Sequence, residues 1–176
     1  MIINDCHIRQ AVLADASAMA KIYNFYIQHS VITFEQKTLS SQEMENRIAA
    51  VTKKFPWFVI ERRIKSGNQL VGYAYANTWN TRESYRYTAE SSVYLDPSEQ
   101  GHGLGEKIYR ILLDELEQMN IHVVIGGISL PNSGSVRLHE KLGFEKIGHF
   151  KAVGYKYDQW VDVGYWQKTF NNSDIE

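Results

Sequence analysis

The 176-residue chain carries one cysteine, Cys6. A single thiol closes no internal disulfide, and that usage suits a reducing compartment. No stretch approaches the roughly 18 apolar residues that a membrane helix needs. The opening residues, MIINDCHIRQ, show no basic patch followed by an apolar run, so they do not read as a secretion signal. A cytoplasmic protein with no membrane partner is the expectation. Excess basic charge is also missing: Lys and Arg number 19 against 20 Asp and Glu, for a formal net charge of −1. Nucleic-acid binders usually show the opposite balance, and no nucleic-acid partner is expected. The six histidines lack H-x-x-H or H-E-x-x-H spacing, so no metal site is indicated. Internal repeats, low-complexity tracts and Pro/Gly/Ser linkers are absent as well. One domain over 1–176 is expected, with a frayed polar tail at 171–176.

What is present is an ordinary globular balance, 44% apolar and 22% charged. HIRQAV reads as an opening strand. Asp15 is placed to cap a helix through AMAKIYNFYI. Ser40 and Glu43 have capping-box spacing and open a second helix, with Met44, Ile48 and Val51 on one face. WFVIER and QLVGYAYANTW read as strands joined by the turn KSGN. YTAESSVYL is a further strand. LGEKIYRILLDELEQM is the clearest helix: Leu104, Ile108, Leu112 and Leu116 recur every fourth residue, and Ile111 widens the stripe. HVVIGGISL reads as a buried strand, and SGSVRLHEKLGF as a short helix ending on Gly143. Two aromatic strands joined through YDQW close the chain, with Trp79, Trp160 and Trp166 read as packing residues. Strands and helices mixed in this order predict an α/β, or mixed α+β, sheet domain.

Between the strand ESSVYLDP and the helix lies QGHGLG, residues 100–105. Glycines at 101, 103 and 105 remove side chains where backbone N–H groups converge. A helix N-terminus carries roughly half a positive charge, so the loop suits a phosphate or pyrophosphate. The familiar nucleotide loops do not fit. A P-loop requires Gly-Lys-Ser/Thr, and the dinucleotide fingerprint requires glycine where Glu106 stands.

Gln100, Gly103 and Gly105 do match Gln-x-x-Gly-x-Gly. With VYLDP before it and the helix after it, this stretch resembles the acetyl-CoA pyrophosphate loop of the GNAT N-acetyltransferases. KKFPWFV, WNTRESYRYTAESSVYL, LPNSGSVRLHEKLGF and GYKYDQWVDVGYWQ further resemble phosphinothricin acetyltransferases and their relatives, in the right order over nearly the whole chain. The resemblance implies a GNAT fold, with a central, mostly antiparallel, splayed sheet flanked by helices. It implies acetyl transfer from acetyl-CoA, as co-substrate, to the amine of a small amino-acid-like molecule such as phosphinothricin, methionine sulfone or methionine sulfoximine, within a ternary complex. A homodimer is implied too. Two other readings stay open: acetylation of a protein or peptide amine, and a CoA-binding sensor module without turnover.

Residue by residue, the resemblance makes Glu90 the base. It gives the backbone of Val93, Tyr94 and Leu95 to the pantetheine arm, and the loop Gln100, Gly101, His102, Gly103, Leu104, Gly105 and Glu106 to the diphosphate. Asn132 and Ser135 match cofactor contacts. His139 stands where many members of the superfamily carry a tyrosine general acid, and is the second catalytic candidate. Phe34, Arg82 and Thr88 match substrate-side positions, Arg82 as a planar fork for an anionic group. Asp96 and Pro97 end the pairing capacity of the strand before the loop. Cys6 as an acetylated nucleophile is the weaker idea, because no basic setting points to it.

Overall fold

The computed structural model describes residues 2–3 and 6–171. Of the tail expected over 171–176, only Asn171 falls within them; the rest lies outside the described residues. Twelve elements follow along the chain: β1 (Ile2–Ile3), β2 (Cys6–Gln10), α1 (Ala16–His29), α2 (Ser41–Val51), β3 (Trp57–Ile64), β4 (Gly67–Thr78), β5 (Thr88–Leu95), α3 (Leu104–Gln118), β6 (Val123–Leu130), α4 (Ser133–Lys141), β7 (Glu145–Lys156) and β8 (Gln159–Thr169). They build one eight-stranded sheet in the order β1-β2-β3-β4-β5-β6-β8-β7. Every adjacent pair is antiparallel except β5 with β6, and that parallel ladder covers only Thr88–Val123, Ala89–Val124 and Glu90–Ile125.

The sheet separates two cores. On one face lies α3, whose stripe is met as expected: Leu104, Ile108, Leu112 and Leu116 are buried, with Ile111 packed at the edge. Burying such side chains contributes about 1.5–3 kcal/mol each. The other face takes α1 and α2, with Met19, Tyr23, Ile27, Met44 and Ile48 packed on Val59 and Tyr73. In the central strands alternation sends successive residues to opposite cores.

The local signals hold at most ends. Ser40 Oγ accepts from the Glu43 N–H at 3.2 Å, and Glu43 accepts from the Ser40 N–H at 2.7 Å, the expected capping box. Gly143 follows α4 with φ of +84°. Asp15 differs. A 3₁₀ turn over Leu13–Asp15 puts it in helical backbone conformation, and no side-chain capping bond to α1 forms. Its carboxylate turns back instead, accepting from the Val12 N–H at 2.8 Å and from Arg9 Nη1 and Nη2 at 2.7 and 2.8 Å. The Arg9 bonds help hold the Asp15 carboxyl below its usual range, against the opposing effect of burial. Trp160 is a second departure. It is 67% exposed, beside the two-residue turn that joins β7 to β8, and its ring touches Tyr155 rather than the core. Trp166 is buried, and Trp79 packs edge-on against Tyr165.

Candidate active site

Past Glu90, β5 and β6 part company. β6 runs on to Leu130 against β8, while β5 runs on to Leu95 against β4. A wedge-shaped gap therefore opens from Ser91 and Gly126 onward. Asp96 donates its N–H to Val71 O at 2.8 Å, which fixes the phase of the β4–β5 ladder. Backbone groups alternate along an antiparallel strand, so Tyr94 and Ser92 face β4, and Leu95 and Val93 turn theirs toward the gap. Leu95 O accepts from Tyr26 Oη on that side, at 2.6 Å. The side chains of Val93 and Leu95 pack on the α3 core, and Tyr94 packs into the α1/α2 core. This stretch therefore offers backbone groups to whatever enters the gap.

The glycine loop stands at the wide end of the gap. Asp96 Oδ1 accepts from the Ser98 N–H at 3.0 Å and closes a 3₁₀ turn over Pro97–Glu99. Gly103 is the N-cap of α3, with φ of +75° and no side-chain capping bond. The left-handed region costs other residues about 1–2 kcal/mol, and a side chain begun at Gly103 would meet nothing within 4 Å. The first N–H groups of α3 thus have no side-chain cap, which fits a diphosphate. Leu104 and Gly105 are buried and contribute backbone, and His102 is exposed. Glu106 is held by Arg110 at 2.9 Å and Lys141 at 2.6 Å, so its carboxylate is neutralised from beside the loop. Gln100 uses its amide inside the protein, donating to Tyr26 Oη at 2.8 Å and tying the loop to α1. Asn132 caps α4, accepting from the Ser135 N–H at 3.1 Å, on the β6 side of the gap.

Glu90 and His139 meet the narrow end from opposite faces of the sheet. Glu90 Oε1 lies 3.6 Å from where a side chain on Gly127 would begin, and His139 Nε2 lies 2.4 Å from the same point on Gly126. Neighbouring residues of β6 point to opposite sides, so Glu90 belongs to the α1/α2 face and His139 to the α3/α4 face. Burial pushes the Glu90 carboxyl up. Tyr165 lies beside it: its ring and Glu90 Oε1 both fall within 4 Å of the point where a side chain on Gly127 would begin.

His139 is buried, and its ring is engaged at both nitrogens. Nδ1 sits 2.8 Å from Ser135 O and Nε2 3.0 Å from Tyr109 Oη. A carbonyl only accepts, so Nδ1 carries the proton; Nε2 then accepts from Tyr109. Tyr109 Oη in turn lies 2.6 Å from Ser91 Oγ, the first β5 residue beyond the ladder. Burial lowers the His139 pKa and raises that of Tyr109, so the imidazole is neutral and the phenol protonated near pH 7. A hydrogen-bonded chain, Ser91–Tyr109–His139–Ser135, thus spans the vertex of the gap on one face. Sequence reading missed Ser91 and Tyr109. The signal was a tyrosine adjacent to the apolar stripe of α3, since a buried phenol needs a partner.

The substrate-side candidates are scattered. Thr88 shares the Glu90 face at the start of β5. Phe34 lies against Gly154 of β7, on a loop that Lys156 Nζ holds through Thr33 O at 2.8 Å. Arg82 is exposed in the β4–β5 connection, and its guanidinium has no partner among the described residues. The cavity on the Glu90 face lies elsewhere, between α2 and β4. It measures about 530 Å³, and its wall includes Arg47, Lys54, Trp57, Tyr75 and Asn77. Asn77 is the direct cross-strand neighbour of Glu90. Cys6 is buried in the α3 core on β2, separated from β5 by β3 and β4, which removes it as a nucleophile. Among the described residues no group of three His, Cys, Asp or Glu could hold a metal ion, and no helix is long and apolar enough to cross a membrane.

Residues 8–164 match the family described as acetyltransferase (GNAT) domain. Phosphinothricin N-acetyltransferase of Streptomyces viridochromogenes is 39% identical over 163 residues, covering 93% of this chain and 87% of the relative. The L-methionine sulfoximine/L-methionine sulfone acetyltransferase of Salmonella typhimurium is 34% identical over 164 residues, covering 91% and 92%. Among solved structures, yncA of Salmonella typhimurium with its cofactor acetyl-CoA superposes with a TM-score of 0.91 at 31% identity, covering 98% of each chain. A GNAT phosphinothricin acetyltransferase from Sinorhizobium meliloti in complex with acetyl-CoA gives 0.87 at 31%, covering 94% and 88%. With the opened strand pair, the uncapped glycine loop and a match over most of its length, the chain belongs to the GNAT acetyltransferase family, on its phosphinothricin acetyltransferase-like branch.

Proposed function

We propose that this single-domain N-acetyltransferase uses acetyl-CoA to acetylate the primary amine of a small amino-acid-like substrate, of the phosphinothricin, methionine sulfone or methionine sulfoximine type, by direct attack in a ternary complex. The observation that carries the reading is the gap between β5 and β6, with a carboxylate on one face, a hydroxyl chain on the other and an uncapped helix at its mouth. Names of the relatives above support the substrate class, and the cavity of about 530 Å³, whose wall includes Asn77 across the ladder from Glu90, is of a size for a small acceptor.

The division of labour follows from the two faces. An amine with a pKa of about 10 is protonated at neutral pH and does not attack. Glu90, made more basic by burial, takes that proton on the α1/α2 face. The Leu95 N–H, turned into the gap, polarises the thioester carbonyl, and the backbone of Val93 holds the pantetheine arm. The N–C bond forms from the Glu90 side while the C–S bond breaks. The departing thiolate, with a pKa of about 8.5, needs modest help and takes its proton from water, while the neutral Ser91–Tyr109–His139 chain lines that face of the vertex with hydrogen-bonding groups. His139, with both nitrogens engaged, acts through Tyr109. Gly101, Gly103 and Gly105 admit the diphosphate to the N–H groups of α3, and Asn132 and Ser135 border it from the start of α4. Phe34 from the connection between α1 and α2, Arg82 from the β4–β5 connection and Thr88 from the start of β5 bound the acceptor.

Free thiol released from acetyl-CoA, measured across a panel of amino acids, their sulfone, sulfoximine and phosphinate analogues, and peptide N-termini, tests this. Release with the small amines and none with the peptides is expected. Release with peptides alone transfers the activity to protein amines; tight acetyl-CoA binding without release from any amine leaves only a sensor. We also place a second copy of the chain on β7, an edge strand where Ile147, Phe150, Val153 and Tyr155 are each at least half exposed. Sedimentation at twice the chain mass of 20.3 kDa is expected, and a monomer at micromolar concentration refutes it.

A further inference from the structure

Two parts of the acetyl-CoA site meet at one side chain of α1. Tyr26 is 4% exposed, and its hydroxyl has two partners. One is Leu95 O at 2.6 Å, a carbonyl that only accepts, so the phenolic proton goes there. The hydroxyl oxygen then accepts from Gln100 Nε2 at 2.8 Å. Donation runs one way, from the Gln100 amide through the Tyr26 hydroxyl to the Leu95 carbonyl, and bonds in such a chain strengthen one another. The partners stand 69 and 74 positions from Tyr26 in the chain. Burial pushes the phenol pKa up, which keeps its proton in place near pH 7.

These two bonds close the segment from Leu95 to Gln100 into a ring. At its start, the peptide joining Leu95 to Asp96 is held at both ends, its oxygen by Tyr26 and its N–H by Val71 O at 2.8 Å. In its middle, Asp96 O accepts from the Glu99 N–H at 2.9 Å. At its end stands the first residue of the glycine loop. The segment therefore runs from the backbone assigned to the thioester to the loop assigned to the diphosphate. Past Glu90, β5 has lost β6 as a neighbour, and Tyr26 reaches its gap side from α1. The helix is a firm support: Met19, Tyr23 and Ile27 are buried, and the Tyr94 ring of β5 lies against Tyr23 and Tyr26, with centroids 5.1 and 5.5 Å apart. Leu95 O alone would satisfy the buried phenol. Gln100 is exposed, so burial does not oblige its amide to turn inward.

We propose that Tyr26 is a positioning residue of the acetyl-CoA site: by bridging Leu95 O and Gln100 it sets the spacing between the backbone that receives the thioester and the loop that receives the diphosphate. The inference rests on the reading that acetyl-CoA occupies the gap between β5 and β6. A ligand that must fit both ends at once is sensitive to this spacing, and misplacing a reacting group by about 1 Å costs about 10²-fold in rate. Gln100 thereby acts through Tyr26 rather than by touching the diphosphate, which the loop grips with its backbone.

The test combines calorimetry of acetyl-CoA binding with thiol-release kinetics on methionine sulfone. It compares the wild type, Tyr26→Phe, Gln100→Ala and the double variant, each well below its own Tm. Tyr26→Phe is expected to weaken acetyl-CoA binding about 10-fold, the scale of one hydrogen bond, and to lower kcat at saturating acetyl-CoA by about 3–10-fold. Gln100→Ala opens the same ring at its other end and should weaken binding and lower kcat to a smaller extent. The double variant should bind within about 2-fold of Tyr26→Phe, because the Gln100 bond is already lost there. Tyr23→Phe is the control: its hydroxyl bonds Thr33 and Glu35 on the same helix, and acetyl-CoA binding should stay within about 2-fold. A hydroxyl with a structural role alone lowers Tm and leaves binding and kcat unchanged in the folded variant. That result, or additive losses in the double variant, overturns the proposal. Should Tyr26→Phe fail to fold, Gln100→Ala decides: unchanged binding, or weaker binding with wild-type kcat, overturns it. Wild-type binding of acetyl-CoA without turnover removes the proposed function and leaves the binding comparisons to decide; no binding by the wild type overturns both.

Discussion

Glu90→Gln is expected to lower kcat by about 10²–10⁴-fold, the usual contribution of a positioned base, while acetyl-CoA binding stays within 2-fold. The carboxylate stands on the α1/α2 face, away from the glycine loop and the backbone of Val93 and Leu95, so its loss leaves the cofactor's contacts in place. In the wild type kcat/KM should rise with pH through the raised Glu90 value, because the base must be ionised; that limb disappears in the variant. Stability moves the other way. A carboxyl whose folded pKa lies above its unfolded value binds protons more tightly when folded. Its contribution is fully present below the unfolded value, about 4.3, and is lost as pH rises through the folded one. At pH 7 a half-buried charge with no cation acting on it among the described residues therefore costs stability, and Glu90→Gln should melt higher than wild type. The gap between the two should close below about pH 4. Stopped-flow thiol release and melting curves from pH 4 to 9 check both halves. Wild-type turnover in the variant removes Glu90 as base.

Gly126→Ala is expected to cost about 1–3 kcal/mol, the range for overpacking a filled core, and to lower Tm by roughly 2–12 °C in a chain of this size. The new methyl would fall 2.4 Å from His139 Nε2. The imidazole has nowhere to go: Tyr109 lies edge-on at 5.2 Å and Phe144 at 5.0 Å, and Nδ1 is tied to Ser135 O. Displacing it breaks the bond from Tyr109 and leaves the phenol and Ser91 short of one partner inside the protein. A fall in kcat with nearly unchanged KM for acetyl-CoA should accompany the lower Tm. Gly127→Ala is the comparison, since its methyl would meet nothing closer than 3.4 Å, from Tyr165. Adding His139→Ala to Gly126→Ala should restore part of the lost stability, because the smaller side chain clears the clash. A Gly126→Ala protein with wild-type Tm would show that the vertex of the gap is not packed as described.

The elements and the loop were legible because their causes are local. The fourfold recurrence through Leu104, Ile108, Leu112 and Leu116, the capping pair Ser40 and Glu43, and glycines at 101, 103 and 105 each express a preference over a few neighbouring residues. Asp15 was misread for an instructive reason: Arg9 and the Val12 N–H compete for its carboxylate, and a bidentate guanidinium outweighs a helix cap. Trp160 was misread because strand alternation says which side a residue faces, not whether anything covers that side.

The amino-acid order by itself determined the sequence of strands and helices, the place of the uncapped helix and the candidate pair Glu90 and His139. Only the tertiary structure decided that these two stand on opposite faces of the sheet. It also decided that Tyr109 and Ser91 join His139, and that Arg47 rather than Arg82 enters the cavity near the base. Those facts depend on which strands pair and where the pairing of β5 with β6 ends. They are set by contacts between residues up to tens of positions apart, which no local pattern encodes.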